Sequence, residues 1–129
     1  MRLGALVVAV LLVPTAWLED KPKDKPLTPA EAAKKVGEKV TVEMEVKSAG
    51  KGSGVFFLNS EADFKDPRNF TLFINKAGAE KFKEAKVEDP ADHFQGKTVR
   101  ATGKVSLYRE RPQIIIEDPA QIVIVKKDG

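Results

Sequence analysis

The stretch VRATGKVSLYRERPQIIIEDP, residues 99–119, decides the fold. Small or apolar residues occupy the odd positions from 99 to 107, and polar residues occupy the even positions from 100 to 108. Because successive side chains of a strand point to opposite faces, this alternation predicts a long strand with one wet face. The alternation breaks at Arg-Glu-Arg-Pro, residues 109–112, and an apolar run follows. We therefore predict two strands joined at an exposed tip, with Val99, Val105 and Leu107 buried.

Three further strand patterns precede this pair. Residues 40–47 alternate between apolar and polar side chains, which predicts that Val42 and Met44 are buried. The segments VFFLN (55–59) and FTLFIN (70–75) are dense apolar runs typical of buried strands. We expect a flexible turn over SAGKGSG (48–54) and a long polar loop over SEADFKDPRN (60–69).

Helix signals lie at three places. In LTPAEAAKKVG (27–37), Thr28 can cap the helix, Pro29 suits its first position and Glu31 completes a capping box, while Gly37 is expected to end it. KAGAEKFKEAKV (76–87) has the spacing of an amphipathic helix. DPADHFQG (89–96) is expected to form a short helical turn that closes at its glycine.

The resulting order is strand, strand, strand, helix, strand, strand. This order predicts a mainly β domain over residues 27–127: a five-stranded Greek-key barrel of the oligonucleotide/oligosaccharide-binding (OB) type. A short helix precedes the barrel, and a helix separates strands three and four. Gly103, in the middle of the fourth strand, fits a bend at which the sheet can coil. A five-stranded open sandwich of another topology is the rival architecture.

The N-terminus has the features of an export signal. Residues 1–17, MRLGALVVAVLLVPTAW, place one early positive charge before an apolar run shorter than the ~20 residues of a membrane span. We predict a signal peptide over 1–16, a charged, proline-rich linker over 17–26, and a periplasmic or extracellular location without a stable membrane span after cleavage. An uncleaved membrane anchor is the alternative.

Composition excludes several classes of site. The chain of 129 residues has no cysteine, which rules out disulfides, thiolate metal sites and cysteine nucleophiles. Its single histidine, His93, cannot form a zinc site without other ligands. The acidic residues lack the spacing of a calcium loop, and phosphate-binding glycine motifs and a recognisable catalytic triad are absent from the sequence. We expect no cofactor, no metal and no enzymatic activity.

Three segments carry a resemblance to a known group of proteins. They are LTPAEAAKKVGEKVTVEMEV, FFLNSEADFKDPRNFTLFI and HFQGKTVRATGKVSLYRERPQIIIEDPAQIVIV, and they contain the patterns E-A-x-x-x-x-G and G-K-x-V-R-x-T-G-x-V-x-x-Y-x-x-R-P-x-I. The chain resembles, over residues 27–125, a family of small exported bacterial OB-fold domains described as nucleic-acid-binding-like. The resemblance implies an OB fold and an exported binding domain, and it assigns no residue roles.

The usual ligand face of an OB barrel crosses strands two and three, flanked by the loops that join strands one to two and four to five. Those loops are expected at KSAGKGS and YRERPQ. Cations can follow a phosphate backbone, and aromatic rings can stack on bases. One of Phe56 and Phe57 must point outward because neighbouring strand residues alternate. The predicted ligand-binding residues are Lys47, Lys51, Phe57, Phe73, Arg100, Lys104, Tyr108, Arg109 and Arg111.

Three functions stay open on the sequence. The favoured hypothesis is a non-enzymatic module that binds single-stranded nucleic acid, or another extended polyanion, weakly. Since the formal net charge is only +3, the charge alone does not indicate a polyanion partner. The first alternative is a cell-envelope module for a protein partner or a small ligand, without affinity for nucleic acid. The second is a cryptic nuclease-like domain, for which the sequence offers no convincing set of carboxylates with two arginines.

Overall fold

Seven strands and three short helices make up residues 25–126, the part of the chain that the computed structural model describes. The helices are α1 (Pro29–Ala33), α2 (Lys76–Glu84) and α3 (Pro90–Phe94). The strands are β1 (Lys39–Glu45), β2 (Ser48–Lys51), β3 (Phe56–Asn59), β4 (Thr71–Ile74), β5 (Thr98–Tyr108), β6 (Arg111–Ile116) and β7 (Ile122–Ile124). A 3-10 turn, Pro119–Gln121, separates β6 from β7. The prediction of a mainly β fold is confirmed.

The strands form one sheet in the order β1-β5-β6-β4-β3-β2, and β7 pairs with β5. All pairs are antiparallel except β4 with β6. The long strand β5 belongs to both halves of the sheet. Its first part pairs with β1 and β7, and its last part, residues 105–108, pairs with β6. The outer faces of β3, β4 and β6 therefore lie side by side.

Strand β5 passes from one set of neighbours to the other next to Gly103. A Cβ atom on this residue would lie 2.6 Å from Cγ2 of Ile114, closer than real Cβ contacts, so glycine is required there. The Gln121 side chain bridges β5 and β6 at this point, because its Nε2 donates to the carbonyl oxygens of Thr102 and Ile115, each at 3.0 Å. The predicted bend at Gly103 is thus a point of close packing.

Strands β1 and β2 are separated only by Val46 and Lys47. The Val46 N–H donates to the Lys97 carbonyl at 2.8 Å, and the Lys47 N–H donates to the Asn59 carbonyl at 3.0 Å. The chain thereby changes its neighbour from β5 to β3. The predicted flexible turn over 48–54 was wrong in its first half, since Ser48–Lys51 pairs with β3. Backbone pairing of this kind needs no large side chains, so the small residues did not signal it.

The helices follow their capping residues. Thr28 and Glu31 form the predicted capping box, but α1 ends at Ala33 and its prediction up to Gly37 was too long. Leu27, which precedes the capping residue, joins the start of α1 to β1, because its N–H donates to the Thr41 carbonyl at 2.8 Å. The predicted α2 and α3 are confirmed and pack together through Phe82 and Phe94, whose ring centroids lie 5.8 Å apart, edge to face.

The alternating pattern predicted the core correctly except at one position. Val42, Met44, Val99 and Val105 are buried, as expected. The prediction for Leu107 was wrong, because its side chain is 52% exposed. Leu107 keeps the inward phase of β5 but pairs with Pro112 in a hairpin that extends beyond the core, so no layer covers it.

The predicted signal peptide (1–16) and most of the predicted linker (17–26) lie outside the described residues. Among residues 25–126, no helix has the length and apolar character to cross a membrane.

Val105→Asp should unfold the domain. Its side chain is fully buried, and an unpaired buried charge costs several kcal/mol against a total stability of about 5–15 kcal/mol. The matched control Leu107→Asp, two residues along the same strand, should shift stability by no more than about 0.5 kcal/mol because that side chain is exposed. Thermal unfolding followed by circular dichroism measures both. Equal melting temperatures for the two variants would contradict this packing.

Candidate ligand-binding groove

A groove of about 630 Å³ crosses the outer face of β2, β3, β4 and β6. Two segments rise beside it: the loop over residues 60–69 and the β5–β6 hairpin. Strand residues that face the groove include Ser48, Lys51, Phe57, Asn59, Thr71 and Gln113, the loop contributes Ala62, Phe64 and Asn69, and the hairpin contributes Tyr108, Arg109 and Arg111.

Aromatic side chains come to the groove from three separate elements. Phe57 lies on its floor, while Phe64 and Tyr108 stand at its sides, exposed by 59% and 58%. Phe57 is also the outward member of the predicted pair, since Phe56 packs against the core. Phe73 lies directly across from Phe57 on β4, with ring centroids 5.3 Å apart. The groove therefore offers flat apolar surfaces on its floor and on two sides.

The charged side chains that line the groove are all cationic: Lys51, Arg109 and Arg111. The Lys51 ammonium donates to Asp89 at 2.7 Å, and this hydrogen bond raises the pKa of Lys51 and lowers the pKa of Asp89. Lys51 is therefore already partnered. The two hairpin arginines form no ion pair with any described residue. Uncompensated positive charge is thus concentrated on the hairpin.

The hairpin tip holds an unfavourable backbone conformation. Arg109 and Glu110 form the two-residue turn, with φ values of 53° and 67°. Such turns normally contain Asn-Gly, because Asn and Gly tolerate positive φ, whereas most other residues cost about 1–2 kcal/mol in the left-handed region. The turn places the Arg109 guanidinium carbon 5.2 Å from the centroid of the Tyr108 ring. A charged and an aromatic side chain are thus held together at the rim.

The loop over residues 60–69 is hydrogen-bonded to the strands of the groove floor and to the β5–β6 hairpin. Buried Asn69 donates to Thr71 Oγ1 at 3.1 Å and to Asn59 Oδ1 at 3.3 Å, and its own Oδ1 accepts from the Glu61 N–H at 3.1 Å. On the other side, Arg111 Nη1 donates to the Phe64 carbonyl at 3.0 Å. Because buried polar groups that are fully paired make a structure rigid, the floor and the loop are set before any ligand arrives.

Within this loop, Arg68 makes two hydrogen bonds to Asp66, at 3.0 and 2.7 Å. They lower the pKa of the Asp66 carboxyl to about 2, so this carboxylate is ionised and paired at neutral pH. Arg68 therefore adds little free charge near the groove.

The structure brings together most of the predicted ligand-binding residues. Lys51, Phe57, Tyr108, Arg109 and Arg111 line the groove, and Phe73 supports Phe57 from β4. These residues come from distant parts of the chain, so their convergence depends on the order of the strands.

The other three predicted residues lie outside the groove. The Lys47 ammonium is 3.9 Å from the Glu61 carboxylate. Arg100 donates to Glu43 at 2.7 Å across the β1–β5 pair. Lys104 is exposed next to the bend at Gly103 and does not line the groove. Alternation placed Arg100 and Lys104 correctly on the outer phase of β5, but the sheet coils away from the groove along this strand.

The sequence analysis did not identify two polar residues of the groove floor, Asn59 and Gln113, or the aromatic residue Phe64 at its side. Asn59 and Gln113 share the outward phase of Phe57 and Arg111, two positions along the same strands, so alternation was the signal that could have found them. Phe64 stands in an irregular loop, where no periodicity indicates direction.

For residues 25–126, no group of three or more His, Cys, Asp or Glu side chains is arranged to hold a metal ion.

Comparisons with known proteins place the fold. No protein-family model and no curated protein matches the sequence. Among solved structures, the chain is similar to OBody AM1L10 bound to hen egg-white lysozyme, with 18% identity and a TM-score of 0.56 over 80% of this chain and 95% of the OBody. It is also similar to the asparaginyl-tRNA synthetase of Pyrococcus horikoshii, with 16% identity and a TM-score of 0.53 over 81% of this chain and 24% of the synthetase.

The aspartyl-tRNA synthetase of Entamoeba histolytica matches similarly, with 14% identity and a TM-score of 0.53 over 81% of this chain and 22% of that one. The chain thus spans about a quarter or less of each synthetase and nearly all of the OBody. Identities this low show the fold alone. Together with the strand order, they identify an OB fold.

Replacing the turn residues by Arg109→Asn with Glu110→Gly should stabilise the domain by about 1–2 kcal/mol, because Asn and Gly tolerate positive φ. The melting temperature should rise by about 4–8 °C for each kcal/mol. Glu80→Gly, in the middle of α2, is the matched control and should lower stability by about 1 kcal/mol. A double variant that melts at or below the wild-type temperature would show that the turn carries no strain.

Proposed function

We propose that this OB-fold domain is a non-enzymatic module that binds single-stranded nucleic acid in the groove. One observation carries the proposal: the residues that line the groove include three aromatic rings and no carboxylate, and two of its three cations, Arg109 and Arg111, have no ion-pair partner among the described residues. A single strand needs both of these surfaces. Its phosphates are attracted by lysine and arginine, and its unpaired bases stack on aromatic rings.

The arrangement of these groups suits an extended ligand better than a compact one. The cations stand at both sides of the groove, with Lys51 on β2 and the two arginines on the hairpin, and the aromatic rings lie between and beside them. A strand that enters over the hairpin would meet the uncompensated charge of Arg109 and Arg111 first. Another extended polyanion could use the charges, but it would leave the aromatic surfaces without stacking partners.

The proposal includes a closed five-stranded barrel. We infer that β1 and β2, interrupted only by Val46 and Lys47, act as one bent strand. This strand would then pair with β5 at one end and β3 at the other, which returns the sheet to its start. Closure supports the function because it would hold the groove floor rigid.

A protein partner in the cell envelope is the second candidate. The observation in its favour is that OBody AM1L10, a chain of which 95% is covered by the match, is bound to lysozyme. Exposed aromatic residues such as Phe64 and Tyr108 are also common at protein interfaces. The absence of carboxylates from the groove lining favours nucleic acid over this alternative.

Export is part of the proposed role, and its support is the apolar N-terminal stretch with one early positive charge. We expect a mature chain that begins near Trp17 in the cell-envelope fraction. Mass spectrometry of the fractionated cells measures its N-terminus. Full-length protein that starts at Met1 in the cytosol would contradict export and would leave the binding proposal unaffected.

Replacing Arg109 and Arg111 together by alanine should weaken binding to a single-stranded oligonucleotide at low salt. Each lost phosphate contact should reduce the salt dependence of log K by about 0.7, so two contacts remove about 1.4. Tyr108→Ala should instead cost about 1–3 kcal/mol of binding free energy that salt hardly changes. Fluorescence anisotropy at several salt concentrations measures both effects.

Arg100→Ala is the matched control, since Arg100 is bonded to Glu43 outside the groove. It should leave affinity and salt slope nearly unchanged. If the wild-type domain binds neither single-stranded DNA nor RNA at about 20 mM salt, where such electrostatic attraction is strongest, the nucleic-acid proposal fails and the protein-partner candidate replaces it.

A further inference from the structure

The outer face of β1 and β5 carries one pair of side chains that the fold leaves unsatisfied. Three neighbouring cross-strand pairs lie on this face: Glu43–Arg100, Thr41–Thr102 and Lys39–Lys104. An ion pair of 2.7 Å joins the first, and a hydrogen bond of 2.8 Å between hydroxyl groups joins the second. The third sets two positive charges directly opposite each other, an arrangement that destabilises a sheet. This pair therefore suits an anion better than it suits the fold.

Lys39 and Lys104, the lysine pair, are free to bind such an anion. Both side chains are exposed, and neither forms an ion pair with any residue from 25 to 126. Glu38, the acidic neighbour of Lys39 in the sequence, forms no ion pair with these residues either. Directly opposite residues have Cβ atoms about 4.5–5.5 Å apart, so both ammonium groups can reach one phosphate. A phosphate between them would replace the repulsion by charge-assisted hydrogen bonds.

The lysine pair continues the face on which the groove lies, farther along β5. Lys104 and Tyr108 share the outward phase of this strand and are about 13 Å apart along it. The outward positions between them are uncharged: Ser106 on β5 and, on the neighbouring strand, Gln113 and Ile115. The Ile115 side chain is 37% exposed and offers an apolar contact. A single strand that leaves the groove along β5 and β6 thus meets no carboxylate at these positions before it reaches the two lysines.

We propose that the lysine pair is a second phosphate-binding site, occupied by the same single strand after it leaves the groove along the outer face of β5 and β6. One phosphate of the strand lies between the two ammonium groups, while Arg109 and Arg111 contact phosphates at the hairpin. The ligand-binding surface is therefore longer than the groove. The inference rests on the proposed function and extends its site.

The test measures how the effect of Lys39→Ala combined with Lys104→Ala depends on strand length. It compares oligothymidylates of three and of about twelve nucleotides without terminal phosphates, the longer one within the range that one OB fold binds. The trimer has only two phosphates, which the hairpin arginines occupy, so none remains for the lysine pair. Fluorescence anisotropy gives the dissociation constant of the labelled long strand, and competition against it gives that of the trimer.

The expected result is a loss of affinity that is specific to the long strand. Each neutralised phosphate contributes about 0.7 to the salt slope of a single strand. For the long strand, the ratio of the variant's dissociation constant to that of the wild type should therefore grow about 2.6-fold from about 200 to about 50 mM salt. For the trimer, this ratio should remain near unity at both salt concentrations.

The matched control is Lys83→Ala combined with Lys97→Ala, which removes two exposed lysines outside the groove and outside the proposed path. It lowers the net charge equally and should leave both dissociation constants nearly unchanged. The lysine-pair variant should melt at or above the wild-type temperature, because it removes a like-charge repulsion. A lower melting temperature would overturn the premise that the fold leaves this pair unsatisfied.

The failures of the two proposals are distinguishable. An unchanged affinity of the lysine-pair variant for the long strand overturns the second site. Equal weakening of the trimer and the long strand, or equal weakening by the control variant, also overturns it, because the lysines would then act only through the general charge of the protein. These results leave binding in the groove intact. No binding of the long strand by the wild type at about 20 mM salt overturns the proposed function itself.

Discussion

The close contact between Gly103 and Ile114 is the constraint on which the rest of the structure depends. A side chain at position 103 would collide with Ile114, so β5 can pass from β1 and β7 to β6 only with glycine there. This passage carries the end of β5 beyond the core and brings the hairpin beside the outer faces of β3 and β4. The groove exists because one strand serves two halves of the sheet.

Polar contacts, rather than apolar packing, hold the loop and the hairpin in place around the groove. The Asn59, Asn69 and Thr71 bonds hold the loop on the floor, and Arg111 holds the same loop to the hairpin through the Phe64 carbonyl. A rigid groove loses little conformational entropy when an extended ligand enters it. The strained turn at Arg109 and Glu110 is consistent with this view, because strained backbone conformations cluster at functional sites.

Alternation and apolar runs predicted most of the strands and of the buried residues, and capping residues and helical spacing predicted the helix positions, because each of these depends on local patterns. Alternation predicted Leu107 wrongly, because it gives the phase of a side chain but not the presence of a covering layer. Five of the nine predicted ligand-binding residues line the groove. Arg100 and Lys104 fall outside it because sheet coiling is a property of the whole fold. The loop residue Phe64 had no periodic signal, and the pairing of Asn59 with Asn69 depends on tertiary contacts.

The central claim is that single-stranded nucleic acid binds in this groove, and amide chemical shifts test it most directly. A ¹H–¹⁵N correlation spectrum of the labelled domain, titrated with a single-stranded oligonucleotide, reports the contacted surface residue by residue. The account predicts that the shift changes concentrate at Phe57, Tyr108 and Gln113 and leave the β1–β5 surface around Arg100 undisturbed. Changes centred on Arg100, or an unchanged spectrum with excess oligonucleotide, would contradict it.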